Sequence, residues 1–539
     1  MQLYDWQAEC LDKWVRNDYK GIVNVVTGAG KTMLALAAIR RLWETAPAES
    51  LKVKIIVPKT FLVSQWFYAL KDVLDVSRDD VGLFLGTRKD KSERRFMIYV
   101  INSARYAFAR HMLEDAGFRV LIIADECHHY GSGENSRIFD FNKIASGYGK
   151  YYALGLSATP KCRSYKEVLV PNLGKEIYRF DFIQALEANI ISRFSVLNIC
   201  LPFSPNERIE YDELTERLSI SLRKLKQNCP QLYIANNRGF FAQLENIINT
   251  HEAPDIRQLA QTVSLLSFQR KEIVHFAEAR ITCVVDLVRL IDKKSKIIIF
   301  GERIDMADEV YQRLSRFFPG KVGIYHSKMR ENVRKTVLRN FEHSEIRILV
   351  SCKTLDEGLN VSDTDVGIIM SSTSSERQRI QRLGRVLRKK EDERGAYFYY
   401  LYIHDTIEET EVLHDLHDDL IDNINVVDIA YDEIHGKFLN QDYEELVNEV
   451  MDIVMEKSWP ALKIDELIRN FELGLIACDW LITEDACIMK IKGASSKRER
   501  NYFVAMLWLI RARLAKVDDS LCAVSFFPKS IHDIQPFRK

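Results

Sequence analysis

The residues best suited to chemistry stand together in the segment VVTGAGKT (25–32), between an apolar strand pattern and a helical pattern. Gly28 and Gly30 permit a tight turn in which backbone N–H groups face phosphate oxygens. Lys31 can neutralise the β- and γ-phosphates of a nucleoside triphosphate, and the Thr32 hydroxyl can bind Mg²⁺. The segment therefore predicts a cradle for a nucleoside triphosphate with its magnesium ion, and a chance turn is the alternative.

The surroundings of this loop support the same chemistry. A helix pattern begins near Met33, and the N-terminal end of a helix favours negative charge. One departure is that Val25 stands where the fuller phosphate-loop pattern has its first glycine. The loop residues predicted to bind the nucleotide are Thr27, Gly28, Ala29, Gly30, Lys31 and Thr32.

A second group of reactive side chains follows the apolar strand pattern VLIIAD (120–125) and reads DECHH (125–129). A carboxylate at the tip of a buried strand, beside a phosphate loop, is suited to hold a metal ion. We expect Asp125 to bind Mg²⁺ and Glu126 to orient and deprotonate the attacking water, since phosphoryl transfer depends on positioning and charge stabilisation. The alternative for Asp-Glu at a strand end is a helix cap or turn. His129 receives no role.

These side chains need a scaffold of parallel strands, and the patterning predicts one. Apolar runs alternate with helical stretches from residue 20 to about 200, which favours a doubly wound α/β domain with strands buried on both faces. The predicted strands of this domain are 21–26, 53–58, 96–101, 120–125, 152–158 and, less clearly patterned, 193–201.

The pattern then changes twice. Residues 205–285 are strand-poor and helical by periodicity, which predicts an insertion resembling a clamp or thumb. Apolar runs return at 296–300, 322–326, 346–351, 365–370 and 397–403, predicting a second α/β domain. The predicted domains are 1–204, 205–285, 286–430 and a mostly helical 431–539, the last with one hairpin near 480–492.

Bulk composition narrows the class of protein. A chain of 539 residues is too long for a single core, so several domains are expected. Its 76 basic and 76 acidic residues balance, so a nucleic-acid partner must be met by a local basic surface. No apolar run approaches a membrane span and no secretory signal is visible at the start. The ten cysteines are scattered along the sequence, as is typical of reduced thiols. These features together predict a cytoplasmic protein.

Four motifs then give a family resemblance. GAGKT (28–32), DECH (125–128), SATP (157–160) and QRLGRVLR (381–388) occur in the order and approximate spacing of superfamily 2 helicases and translocases of the DEAD/DEAH type. Within that superfamily the chain looks most like the XPB-like group. The resemblance implies two RecA-like domains that hydrolyse ATP with Mg²⁺ in the cleft between them.

The resemblance assigns roles around the nucleotide. Gln7 resembles the glutamine that reads the adenine edge, with Tyr4 or Trp6 as stacking candidates, although a surface glutamine is the plainer alternative. His128, Ser157 and Thr159 resemble residues that couple nucleotide state to grip on nucleic acid, with His128 opposite Gln381.

Further positions are implied for nucleic acid and for the second domain. The candidate contacts to the phosphodiester backbone are Lys59, Thr60, Gln65 and Ser103, each of which could instead be a local cap, and Thr354 of the second domain. Glu357 and Gly358 occupy positions that couple nucleotide and nucleic acid in the family.

The basic run at 376–394 carries the strongest charge signal. Arg382, Arg385 and Arg388 recur every three residues and so share one helix face, although such runs are often solvated. Arg385 and Arg388 match the two arginine fingers of the family, which reach the γ-phosphate across the cleft and act in catalysis with Gln381.

The sequence thus predicts an ATP-dependent helicase or translocase acting on DNA, duplex or forked, in repair, restriction or phage defence. Three alternatives stay open: an RNA helicase of the DExH type, a scaffold that ATP merely locks, and the motor subunit of a complex whose partner supplies a nuclease. In the last case residues 430–539 would recruit that partner.

Overall fold

The chain divides into two compact units, the first taking in residues 1–194 and the second beginning at Ser195. The computed structural model describes residues 1–45, 50–144, 151–162, 164–191, 194–233, 237–352, 364–371, 396–406, 408–409, 425–456 and 463–517.

The first unit is built on an eight-stranded sheet whose order is β4-β3-β5-β2-β6-β7-β1-β8. Its strands are β1 Lys20–Val25, β2 Leu51–Val57, β3 Val81–Leu85, β4 Arg88–Lys89, β5 Phe96–Val100, β6 Arg119–Asp125, β7 Tyr152–Ser157 and β8 Glu176–Phe180. All pairs are parallel except the short β3–β4 hairpin. Strand β2 is buried along its whole length, which explains its unbroken apolar run.

Helices precede, connect and follow these parallel strands, whose crossover connections are usually helical. They are α1 Asp5–Arg16, α2 Lys31–Glu44, α3 Phe61–Leu74, α4 Ile101–Ala104, α5 Phe108–Glu114, α6 Phe141–Ile144, α7 Val170–Leu173 and α8 Phe182–Glu187. The sequence of α2, KTMLALAAIRRLWE, is rich in strong helix formers and buries its Leu and Ala side chains. Because α2 begins at Lys31, its N-terminus closes the loop that follows β1.

A helical segment opens the second unit and confirms the predicted change of pattern. Its helices are α9 Pro205–Asn228, α10 Asn237–Thr250, α11 Pro254–Phe276 and α12 Glu278–Leu290. Helix α9 starts with a capping box, in which the Ser204 side chain accepts from the Glu207 N–H and Pro205 takes the first turn. Leu225 of α9 and Val263 of α11 are fully buried in the core that these helices share.

The second unit contains another eight-stranded sheet, in the order β11-β12-β10-β13-β14-β9-β15-β16. Its strands are β9 Phe194–Leu201, β10 Ile297–Gly301, β11 Val322–Tyr325, β12 Ile348–Cys352, β13 Val366–Ile369, β14 Ala396–Ile403, β15 Asn425–Asp432 and β16 Lys437–Leu439. Helices α13 Ile304–Phe317 and α14 Glu331–Glu342 connect its early strands. The predicted fold class, two α/β domains with a helical segment between them, is confirmed.

One strand belongs to a different sheet from the one predicted. The apolar run ending at Leu201 forms β9, which pairs in parallel with β15 in the second sheet. Asn198 of β9 donates from Nδ2 to Asp428 Oδ1 of β15 at 2.9 Å, in the register that places these residues side by side. Grouping this run with the first domain was therefore wrong, because its partner lies more than two hundred residues later in the chain.

The C-terminal region is helical, as predicted, but it lacks the hairpin expected near 480–492. Its helices are α15 Gln441–Glu456, α16 Ile464–Ala477, α17 Glu484–Gly493 and α18 Lys497–Val517. Thr483 caps α17 by accepting a hydrogen bond from the Ala486 N–H at 3.3 Å, and two acids fill the first turn. These signals favour a helix over a strand there. Among the described residues, no helix combines the length and apolar character that crossing a bilayer requires.

Candidate nucleotide site

The loop between β1 and α2 has the backbone that a phosphate cradle needs. Gly28 and Gly30 both adopt positive φ angles, 93° and 98°, which favour glycine. Strand β1 lies between β7 and β8 in the sheet, and ligands of open α/β sheets bind beyond the carboxyl ends of the strands. Gln7 braces the loop by donating from Nε2 to the Gly30 carbonyl at 3.0 Å, while its Oε1 accepts from the Tyr4 N–H.

Lys31 and Glu126 meet across this end of the sheet. The Lys31 Nζ lies 3.0 Å from Glu126 Oε1, and the two side chains are only 11% and 14% exposed. Burial disfavours the charge on Glu126, but Lys31 together with His128 and His129 outweighs burial and lowers the pKa of this carboxyl group. The structure therefore brings together the cation predicted to bind phosphate and the carboxylate predicted to act as base.

Asp125 is buried at the last position of β6 and accepts a hydrogen bond that the sequence pattern did not predict. Trp66, on α3, donates from Nε1 to Asp125 Oδ2 at 2.9 Å. Burial and the adjacent Glu126 carboxylate raise the pKa of Asp125 to about 6. A divalent cation at these oxygens would favour the ionised form. Carboxylate and hydroxyl oxygens are the donors that Mg²⁺ prefers, so Asp125 and Thr32 fit the predicted ion chemically.

His128, Ser157 and Thr159 form a connected chain of hydrogen bonds. The His128 Nδ1 lies 2.9 Å from Ser157 Oγ, and Ser157 Oγ also accepts from the Thr159 N–H at 3.1 Å. His128 Nδ1 is also 3.6 Å from Glu126 Oε2. The strand end of β6 and the loop after β7 are thus linked through buried polar groups, which suits the predicted coupling role.

The two stacking candidates near Gln7 differ in their surroundings. Trp6 is 5% exposed and stacks on Phe180 with ring centroids 4.9 Å apart. Its ring is part of the first unit's core, so Trp6 is a poor candidate for stacking on a base. Tyr4 is half exposed, and it remains the candidate for stacking on the base.

The predicted nucleic-acid contacts of the first unit lie after the carboxyl ends of two strands. Lys59 and Thr60 are exposed between β2 and α3, and Gln65 is half-buried one turn into α3. Ser103, which follows β5, accepts a hydrogen bond from the Gly86 N–H at 3.1 Å. Ser103 therefore has a local structural partner. Lys59 and Thr60 are exposed.

The remaining predicted site residues lie outside the described part of the chain. They are Thr354, Glu357, Gly358, Gln381, Arg385 and Arg388.

Two protein-family models match the chain. The model described as "Type III restriction enzyme, res subunit" matches residues 1–162, a range that contains the loop, DECH and SATP. The model described as "Helicase conserved C-terminal domain" matches residues 279–390, which contain QRLGRVLR.

A DNA translocase and a DNA helicase are similar to this chain along most of its length. The DNA 3'-5' translocase XPB2 of Sulfurisphaera tokodaii is 28% identical over 398 residues, covering 73% of this chain and 80% of that protein. The DNA 3'-5' helicase XPB of Kineococcus radiotolerans is 24% identical over 415 residues, covering 76% of this chain and 62% of its own length.

A solved structure shares the fold. The DUF1998 helicase MrfA, solved bound to DNA, matches with a TM-score of 0.54 at 13% identity, covering 79% of this chain and 50% of that one. At this identity the likeness concerns the arrangement of helices and strands.

Proposed function

We propose that this chain, a member of superfamily 2 of the helicases and translocases, uses ATP hydrolysis to move along duplex or forked DNA. The proposal rests on the ion pair between Lys31 Nζ and Glu126 Oε1, which lie 3.0 Å apart beside the glycine-containing loop. A phosphate-binding cation beside a carboxylate base is the arrangement that activates water for attack on a γ-phosphate.

The chain's own residues divide the work at this site. The loop N–H groups and Lys31 bind the phosphates, and Gln7 supports the loop through its hydrogen bond to the Gly30 carbonyl. Thr32 and Asp125 would hold Mg²⁺, which supplies neutralisation of charge on the β- and γ-phosphates. Glu126 accepts the proton of the attacking water, and Trp66 fixes the Asp125 carboxylate beside it.

Arg385 and Arg388 complete the proposal as fingers that stabilise charge in the transition state. An arginine finger stabilises mainly the transition state. In Arg388→Ala the ATP turnover rate should therefore fall by about 10³-fold, while ATP affinity is largely kept. Lys31→Ala, in contrast, should lose both turnover and ATP affinity. Equilibrium binding of a fluorescent ATP analogue, measured beside steady-state hydrolysis, separates the two outcomes.

DNA is the proposed substrate along which the protein moves. The support is the match to relatives named as DNA translocases and helicases, together with a motif at 381–388 that reads QRLGRVLR. Phosphate contacts at Lys59 and Thr60 would position the strand without reading its sequence.

Displacement of a third DNA strand from a triplex tests this function. A translocase strips the third strand as it moves along the duplex, so the wild-type protein with ATP should displace it and Glu126→Gln should not. Absence of displacement by the wild type, with ATP being hydrolysed, would contradict movement on DNA.

A further inference from the structure

A surface pocket of about 660 Å³ lies in the second unit, where α9 and α11 meet the residues that follow β14. Four of its lining residues recur along α9 at the spacing that places side chains on one face of a helix. The lining includes Arg208, Tyr211, Asp212 and Thr215 of α9, Arg270 of α11 and Asp405. Pockets of this size are typical of sites for small organic ligands.

Two guanidinium groups lie beside one aromatic ring in this pocket. The Cζ atoms of Arg270 and Arg208 are 5.8 Å and 6.0 Å from the centroid of the Tyr211 ring, and Tyr211 is only 5% exposed. Like charges held beside the same ring repel one another, and an anion that contacts both would offset that repulsion. The pair of arginines therefore favours a negatively charged ligand.

The two arginines differ in how far the protein already neutralises them. Arg208 Nη1 lies 3.8 Å from Asp212 Oδ1, and Arg208 Nη2 donates to the His404 carbonyl at 2.9 Å. Within the described ranges of the chain, no acidic side chain forms an ion pair with Arg270, whose contact in the pocket is the ring of Tyr211. The hydrogen-bond donors of Arg270 are therefore available to a ligand.

A hydroxyl group adds a third donor to the pocket. Thr215 Oγ1 is buried and has no hydrogen-bond partner in the part of the chain that the structure describes. A buried polar group without a partner costs free energy, so an acceptor supplied by a ligand would stabilise it. The acidic side chains of the lining, Asp212 and Asp405, are 63% and 68% exposed, so water screens their charges.

We propose that this pocket binds the phosphate group of a small phosphorylated molecule. A phosphate group carries up to two negative charges and several acceptor oxygens, which match two guanidinium groups and a hydroxyl group. Arg270 is the principal contact, and Arg208 and Thr215 donate the further hydrogen bonds. The site is independent of the proposed function, since its residues belong to the second unit and the phosphate loop at 28–32 belongs to the first.

Isothermal titration calorimetry with pyrophosphate tests the site. All titrations use the Lys31→Ala protein, in which the loop of the first unit lacks its phosphate-binding cation. Adding Arg270→Gln should weaken pyrophosphate binding by about tenfold or more, because hydrogen bonds between charged groups are strong. Adding Thr215→Val, which keeps the shape of the side chain but removes the hydroxyl group, should weaken binding by about threefold.

Arg257→Gln is the matched control. Arg257 is another half-buried arginine of α11, about 20 Å along the helix from Arg270, and it is not among the lining residues of the pocket. Added to Lys31→Ala, this change should leave pyrophosphate affinity unaltered. Thr215→Val gives an independent result if Arg270→Gln does not fold, because it replaces a single hydroxyl group by a methyl group.

Several results would overturn the proposal. Absence of pyrophosphate binding to the Lys31→Ala protein would do so, as would equal affinities in Arg270→Gln and Arg257→Gln. Succinate bound as tightly as pyrophosphate would contradict recognition of phosphate. If Arg270→Gln weakened binding of duplex DNA and left pyrophosphate affinity unchanged, the pocket would belong to nucleic acid and not to a small molecule.

Discussion

The Lys31 ammonium group and the Glu126 carboxylate form an ion pair at 3.0 Å, in surroundings sheltered from solvent. Charges interact more strongly in such surroundings than in water. A triphosphate brings more negative charge to Lys31 than one carboxylate does, so we expect ATP to replace Glu126 as the partner of Lys31. ATP binding would then release Glu126 from Lys31, so that the carboxylate can accept a proton from water.

Glu126→Gln should separate binding from hydrolysis. The amide keeps the size of the side chain but cannot accept a proton, so turnover should fall by about 10²–10⁴-fold. ATP affinity should be kept or rise, because Lys31 no longer pairs with a carboxylate. Single-turnover hydrolysis and equilibrium nucleotide binding measure the two effects. Turnover near the wild-type rate would show that Glu126 is not the base.

Gly30→Ala should damage the cradle through the backbone. Gly30 has φ of 98°, and an added Cβ would lie 2.8 Å from Gln7 Nε2. The conformation alone costs a non-glycine residue about 1–2 kcal/mol, so nucleotide affinity should fall by about tenfold or more. Gly133→Ala is the matched control, since an added Cβ there meets no atom within 4 Å. Equal affinities in the two variants would contradict the role of the Gly30 turn.

Ser157→Ala should uncouple hydrolysis from movement. The change removes the hydroxyl group that forms a hydrogen bond with His128 and accepts one from the Thr159 N–H. Basal ATP turnover should stay within a few-fold of the wild type, whereas triplex displacement per ATP consumed should fall by about fivefold or more. Ser195→Ala, another buried serine, lies in β9 and serves as the control. Normal coupling in Ser157→Ala would rule out this hydrogen-bond chain as the link.

Acid should destabilise the first unit partly through His111. This side chain is buried beside Tyr99, whose hydroxyl lies 3.0 Å from Nδ1, and burial followed by Lys54 lowers the pKa of His111 from 6.5 to about 4. The folded state therefore binds its proton less readily than the unfolded state. Stability from this group is complete above pH 6.5 and is lost as pH falls towards 4.

The magnitude follows from the same pKa difference. At pH 5, His111 should cost about 2 kcal/mol of unfolding free energy relative to pH 8. Urea unfolding at both pH values should show a smaller acid loss in His111→Gln than in the wild type, by about that amount. An equal loss in both proteins would show that His111 does not titrate as described.

The motifs of the candidate nucleotide site are short and local. The glycines of the loop and Lys31 follow β1, and the Asp125–Glu126 pair lies at the end of β6. Carboxyl ends of parallel strands meet at one edge of a sheet, so their proximity could be inferred. Trp66 could not be found in this way, since its bond to Asp125 depends on how α3 packs against β6.

Strand β9 and helix α17 mark where local pattern was insufficient. Neighbouring strands in sequence usually neighbour one another in space, which placed β9 in the first sheet. Its real partner, β15, is brought beside it only by the folding of the whole second unit. For α17, the cap at Thr483 and the acids after it are signals of a helix start, which contradict the predicted hairpin.

DNA should accelerate ATP turnover at the Lys31–Glu126 site. The most direct measurement is the steady-state ATP hydrolysis rate of the wild type and of Glu126→Gln with duplex DNA, forked DNA, single-stranded DNA, RNA and no nucleic acid. Duplex or forked DNA should raise wild-type turnover more than RNA does, and Glu126→Gln should stay inactive throughout. Stimulation by RNA alone, or equal rates with and without DNA, would contradict this expectation.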